Sequence, residues 1–134
     1  MTVVICVDEQ NGISFCGRRQ SRDRLLCADA VCLCGKLKML PKTALLFEDH
    51  AGAVEVCDTL LEGDGAYFVE TDDLAQADPD ELILYRWNRR YPADRWLQFL
   101  PEERGMTLAD RSDFTGSSHE RITREIWRKP HAER

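Results

Sequence analysis

Three short apolar runs constrain this chain most: Val3 to Val7, Ala66 to Val69 and Leu82 to Trp87. Each is too short for an ordinary helix and rich in β-branched or aromatic residues, so each reads as a buried strand. The first run ends at Asp8-Glu-Gln-Asn-Gly12, where Asn11-Gly12 marks a turn. Residues Phe15 to Gln20 then read as a polar, arginine-bearing loop. Ser21 is expected to cap a helix, with Asp23 in its first turn, apolar residues from Leu25 to Val31, and Gly35 closing it.

Lys36 to Leu40 reads as a strand stopped by Pro41, followed by a short helix from about Thr43 to Asp49. Ala53 to Val56 is a further short strand, and Gly63-Asp-Gly65 a turn. The acidic stretch Glu70 to Glu81 is a loop or a single helical turn. Met106 to Asp110 and Arg121 to Arg128 form a closing antiparallel pair joined across Ser112 to Ser118. Strands alternating with short helices give an α/β domain with an antiparallel addition at the C-terminus. One domain spans residues 1–134, of which about 130–134 are expected to be a short disordered tail.

Hydrophobic residues make up 43% of the chain and charged residues 31%, a globular balance. No apolar run approaches the ~20 residues of a membrane span. Met1 to Asp8 lacks the basic lead and long apolar stretch of a signal peptide, so a soluble, cytoplasmic protein is expected. The six cysteines, Cys6, Cys16, Cys27, Cys32, Cys34 and Cys57, include one close pair, Cys32-x-Cys34, with no second pair and no histidine nearby. They are expected to be small, buried, reduced side chains rather than disulfides or zinc ligands. No metal is expected.

The net charge of −6 is unevenly spread. No Lys or Arg lies between Lys42 and Arg86, whereas 12 of the 24 acids do, including Glu70, Asp72 and Asp73. All 18 basic residues flank that segment, and 14 of them are arginine, the side chain suited to bidentate capture of carboxylate or phosphate. Solvated surface arginines are the plain alternative.

Val4-Ile-Cys-Val-Asp-Glu-Gln-Asn-Gly-Ile13, Gln20-Ser-Arg-Asp23-Arg-Leu25, Gly35-Lys-Leu-Lys-Met-Leu40, Leu82 to Trp87, Pro92-Ala-Asp94-Arg-Trp96 and Asp113-Phe114 through Lys129 follow a shared order of elements. In that order they resemble the dihydrofolate reductases. The resemblance implies a mixed sheet with short flanking helices and a C-terminal antiparallel hairpin. It also implies that Asp23 is the single carboxylate of the first helix that faces a pterin.

The chain departs from the family on its cofactor side. Dihydrofolate reductases hold NADPH with a glycine pair after a buried core strand, where backbone N–H groups meet phosphate. After Ala66 to Val69 this chain has Glu70-Thr-Asp72-Asp73, and carboxylates there repel a pyrophosphate by roughly a kcal/mol or more each at an intermediate dielectric. The basic residues for the cofactor's extra phosphate are missing from that segment, and the family's usual tryptophan before the first helix is missing too, with Arg18 and Arg19 in its neighbourhood. No NADPH site, and hence no NADPH-dependent activity, is expected.

Arg18-Arg-Gln-Ser-Arg-Asp23, Tyr85 to Asp94 and Thr115-Gly-Ser-Ser-His-Glu120 also resemble short bacterial proteins often labelled ribonuclease Z. That enzyme uses two zinc ions in a dense histidine cluster. His50, His119 and His131 are scattered, so the zinc chemistry does not carry over.

Asp23 and His119 remain as weak catalytic candidates. In Ser117-Ser-His-Glu120, neighbours on a strand point to opposite faces, so Ser118 and His119 do not pair merely by adjacency, and His119 is expected on an exposed flank. Asp23, Arg18, Arg19, Arg22, Arg86, Arg89 and Trp87 are expected to line one cleft. Its expected ligand is small and anionic or heterocyclic, a nucleotide or pterin. Duplex nucleic acid is not expected, given the net charge and the lack of a sustained basic face. A binding domain without catalysis is the favoured reading. The alternatives are a cofactor-independent hydrolase, a nuclease- or deaminase-like enzyme, a residual reductase, and an interaction module presenting its acidic middle. Oligomeric state is not legible.

Overall fold

The computed structural model describes residues 1–71 and 74–130, so Asp72, Asp73 and nearly all of the expected tail lie outside the described residues. The first apolar run is strand β1 (Thr2–Val7), followed by β2 (Gly12–Phe15), β3 (Arg18–Arg19) and helix α1 (Arg24–Cys34). Strand β4 (Leu37–Met39), helix α2 (Pro41–Ala44), a 3-10 segment (Leu45–Ala53) and strands β5 (Val54–Val56) and β6 (Ala66–Val69) come next. Strand β7 (Glu81–Arg86), β8 (Arg95–Trp96), a second 3-10 turn (Pro101–Arg104) and the hairpin β9 (Thr107–Phe114) and β10 (Ile122–Arg128) complete the chain.

Seven strands form one sheet in the order β5-β4-β6-β1-β7-β10-β9. The five from β5 to β7 run parallel, and β10 and β9 add antiparallel at one edge. The three apolar runs are thus the neighbours β6, β1 and β7 at the sheet's centre, where burial on both faces suits continuous apolar sequence. Successive side chains on these strands alternate between two cores. Val4, Phe68, Ile83 and Tyr85 face α1, packing with Leu26, Ala30 and Phe47. Val3, Ile5, Tyr67, Leu82 and Leu84 face the other layer with Leu74 and Phe99.

Several expectations need correction. The stretch expected to be loop before α1 carries β3, which pairs with β2, and β2 pairs with β8 in a separate three-stranded sheet. Pro41 not only ends β4 but also opens α2, because its fixed φ suits the first helical turn and its missing N–H is not needed there. The N-cap of α1 is Asp23, not Ser21. Strand β9 runs on to Phe114, which moves the hairpin connection to residues 115–121.

The cysteines are free, but they are not uniformly buried. Cys27 is buried and Cys6, Cys34 and Cys57 partly so, whereas Cys16 and Cys32 are exposed. Burial pushes the Cys27 thiol up to about 12 and that of Cys34 to about 11, which keeps both protonated and poorly nucleophilic.

Candidate functional site

Because β6, β1 and β7 are parallel, their carboxyl ends open at one edge of the sheet, the usual place for a ligand in open α/β folds. A narrow cleft with a cavity volume of about 20 Å³, open at its mouth, lies there between the strand ends, α1 and the β2–β3 hairpin. Cys6, Ile13, Leu26, Cys27, Phe68, Val69 and Trp87 supply apolar wall, and Arg19, Gln20, Ser21, Arg22, Asp23 and Glu70 the polar part.

Asp23 is the hub beside this cleft. As the N-cap of α1 its Oδ1 accepts from the backbone N–H groups of Leu25 (3.0 Å) and Leu26 (3.2 Å). The hairpin connection folds back onto the same carboxylate. Ser117 N donates to Oδ1 at 2.9 Å, Ser118 N to Oδ2 at 2.8 Å, and the His119 ring meets Oδ2 through Nδ1 at 3.0 Å. Gly116 permits this approach, since a Cβ on it would lie 2.3 Å from Asp23 Oδ2. Burial raises the Asp23 carboxyl, but the hydrogen bonds from Ser118, Ser117 and His119 outweigh it and hold it well below the usual carboxylate range. Asp23 is therefore not a free ligand-facing carboxylate, because both of its oxygens are occupied by protein donors.

His119 is the clearest correction. Rather than an exposed flank, it is 4% exposed, with its ring stacked on Trp87 at a centroid distance of 4.5 Å. Nε2 faces the Tyr91 hydroxyl at 2.8 Å and Ser21 Oγ at 3.2 Å. Ser118 Oγ does reach Nδ1, at 3.2 Å, on the side of the ring that Asp23 occupies.

Of the residues expected in one cleft, Asp23, Arg19, Arg22 and Trp87 come together there. Arg18 lines a neighbouring shallow depression with Phe15 and Pro92. Arg89 sits over a separate one with Glu120 and Arg121. Arg86 lies on the opposite face of β7 from Trp87's side of the sheet, as strand alternation dictates, and pairs with Glu125 (3.0 Å) and Asn11 (3.0 Å). Neither Arg86 nor Arg89 belongs to the cleft.

The positive charge within the cleft is itself divided. Arg19 is committed to Glu70, donating to it through both Nε and Nη2, and Glu70 also accepts from Thr43 Oγ1 at 2.9 Å. Arg22 is exposed at the mouth, where it also lines a wider adjoining depression with Arg24, Glu48 and Asp49. Sequence reasoning missed Gln20 as a site residue. Its Nε2 donates to Asp8 Oδ2 (3.2 Å) and to the Pro92 carbonyl (3.3 Å), two groups that only accept, so the amide orientation is fixed. Its Oε1 is then buried with no partner among the described residues. No three His, Cys, Asp or Glu side chains among the described residues are grouped as metal ligands.

Neither a protein-family model nor a curated protein matches this chain. Among solved structures, dihydrofolate reductase from Enterococcus faecalis, in complex with NADP(H) and RAB-propyl, superposes with a TM-score of 0.65. The match covers 96% of this chain and 95% of that one, at 11% sequence identity. The fold is dihydrofolate reductase-like. At that identity the likeness speaks for the reductase-like backbone alone, and no helix among the described residues is long and apolar enough to cross a membrane.

Proposed function

We propose that this reductase-like domain binds a small anionic heterocycle, of the nucleotide or pterin kind, in the cleft at the ends of β1, β6 and β7, without NADPH-dependent chemistry. The observation that carries the reading is the buried, unpartnered Oε1 of Gln20 beside an apolar-walled cleft. A buried acceptor left unmade costs about 1–3 kcal/mol, and a small shift of the Gln20 amide toward the cleft would let a ligand N–H remove that cost. Trp87 and Phe68, both nearly fully buried, contribute to the apolar wall, and Arg22 at the mouth offers a guanidinium to an anionic substituent. Apolar walls with a few fixed polar groups are the usual composition of a small-molecule site.

The residues at the end of β6 do not fit a dinucleotide. The neighbouring solved reductase is described with NADP(H). In this chain β6 is followed by Glu70, whose carboxylate is clamped by Arg19 and by Thr43 of α2. A pyrophosphate placed there finds Arg19 already paired with Glu70. Apart from the clamp, the chain has no Lys or Arg between residues 43 and 85 to compensate.

A thermal-shift series over nucleoside monophosphates and pterins tests the reading. A ligand at a hundred-fold excess over its Kd stabilises by about 2.7 kcal/mol, which raises the melting temperature by several degrees. Arg22→Ala and Gln20→Leu are each expected to remove most of that rise. No shift across the series, or equal shifts in wild type and both variants, contradicts a site at this cleft.

A further inference from the structure

We propose that Ser21, His119 and Asp23 form a nucleophile–base–carboxylate relay on the cleft, giving this chain a cofactor-independent hydrolase activity toward small carboxylic esters. The proposal rests on the cleft being the ligand site and adds a reaction to it.

Its basis is a geometry assembled from distant parts of the sequence. The Asp23 carboxylate only accepts, so the His119 nitrogen 3.0 Å from it, Nδ1, carries the ring proton. That leaves Nε2 as a lone pair directed at hydroxyls, the tautomer a general base requires. Trp87 stacked on one face of the ring and Asp23 at its edge hold the imidazole in one orientation.

Two hydroxyls meet Nε2. Ser21 Oγ, at 3.2 Å, belongs to a half-buried residue that lines the cleft. Tyr91, at 2.8 Å, lines a separate depression with Arg90, Pro92 and Trp96. Ser21 is therefore the hydroxyl that a substrate in the cleft can meet; Nε2 has one lone pair, so it acts on Ser21 when the Tyr91 hydroxyl, which otherwise positions the ring, does not donate to it. Arg22, next to Ser21 in sequence, is an exposed cation that also lines the cleft.

The reaction needs no further reactant than water. Ser21 Oγ attacks the ester carbonyl carbon and its proton passes to His119 Nε2, leaving an imidazolium beside the Asp23 carboxylate. The bond from carbonyl carbon to the alcohol oxygen breaks, and the imidazolium returns the proton to the departing alkoxide. Water then attacks the acyl-Ser21 by the same relay, releasing the carboxylic acid and restoring the serine.

Incubating the full chain with an alkyl fluorophosphonate, followed by intact mass and peptide mapping, tests the proposal. The expected result is one covalent adduct, located on Ser21, and none in Ser21→Ala. That variant removes a hydroxyl with a single hydrogen bond among the described residues, so it is expected to keep the wild-type melting temperature. His119→Gln is expected to label at least about 100-fold more slowly, the contribution of a positioned general base.

No adduct, an adduct on another residue, or labelling lost in Tyr91→Phe but retained in Ser21→Ala overturns the relay. Should His119→Gln fail to fold, the Ser21→Ala comparison decides alone. The nucleotide and pterin series separates the two readings: stabilisation of wild type whose Ser21 stays unlabelled sinks the relay and leaves the binding site standing. Labelling of Ser21 without stabilisation by any of those compounds leaves the relay standing and removes that ligand class.

Discussion

Asp23→Ala is expected to cost about 3–5 kcal/mol, because it leaves several buried donors without their acceptor at about 1–3 kcal/mol each. Domains of ordinary size have only about 5–15 kcal/mol in total, so this variant stands near the edge of folding. The reason is that one carboxylate performs two structural tasks. It caps α1 through Leu25 and Leu26, and it pins the β9–β10 connection through Ser117, Ser118 and His119. Alanine leaves four backbone donors and a buried imidazole unmatched. Asp23→Asn keeps the shape but turns one accepting oxygen into a donor, and it is expected to lose less. Urea midpoints of the three proteins measure the difference; a change under about 1 kcal/mol for alanine, the usual size of a simple cap, contradicts the hub.

The same carboxylate sets an acid limit. Its carboxyl is held well below its ordinary value of 3.8 in the folded chain. A depressed carboxyl contributes stability that is complete above the unfolded-state value, near pH 4. That contribution declines as the pH falls toward the depressed folded-state value. Wild-type stability is therefore expected to drop below about pH 4 more steeply than that of Asp23→Asn, whose amide does not titrate in that range.

Phe47→Ala is the second large effect, expected at about 3–5 kcal/mol. Phe47 is fully buried in the 3-10 segment, and its ring meets Phe68 edge-on at 4.9 Å and 73°. The residue anchors an otherwise irregular segment to the α1 side of the sheet, where neighbours from β4, β6 and α1 enclose it. Truncation leaves a void that fixed strands cannot collapse to fill. Chemical denaturation reads the loss, and Phe47→Leu is expected to recover more than half of it.

The central strands were legible because their burial is written in local composition: the runs at Val3, Ala66 and Leu82 became β1, β6 and β7. The order of elements was enough to point to the fold. The small sheet was not legible, since Arg18–Arg19 has neither alternation nor β-branched residues. Its register comes from Ser14 and Phe15, and β2 in turn is held by Arg95 and Trp96, some 80 residues away.

The site was only partly readable. Arg86 and its neighbour Trp87 cannot both face the cleft from one strand, as side-chain alternation in the sequence already implies. His119 was misplaced because a Ser/Gly-rich connection normally projects into solvent. Here it instead turns inward to satisfy the N-terminus of α1, a long-range contact with no local signature. Nothing in the order Gln20-Ser21 announces an orphaned amide oxygen or a hydroxyl facing a histidine 98 residues on. Glu70, by contrast, stood out as a carboxylate following a core strand, and its clamp by Arg19 and Thr43 gives that position a structural partner set.

The proposed ligand cleft and the proposed lack of an NADPH site beside Glu70 make opposite demands on one cofactor. Calorimetric titration of the full chain with NADPH tests this most directly. No saturable binding at concentrations up to about 1 mM, a free energy weaker than about −4 kcal/mol, is the predicted result. One-to-one binding with a micromolar dissociation constant would contradict it.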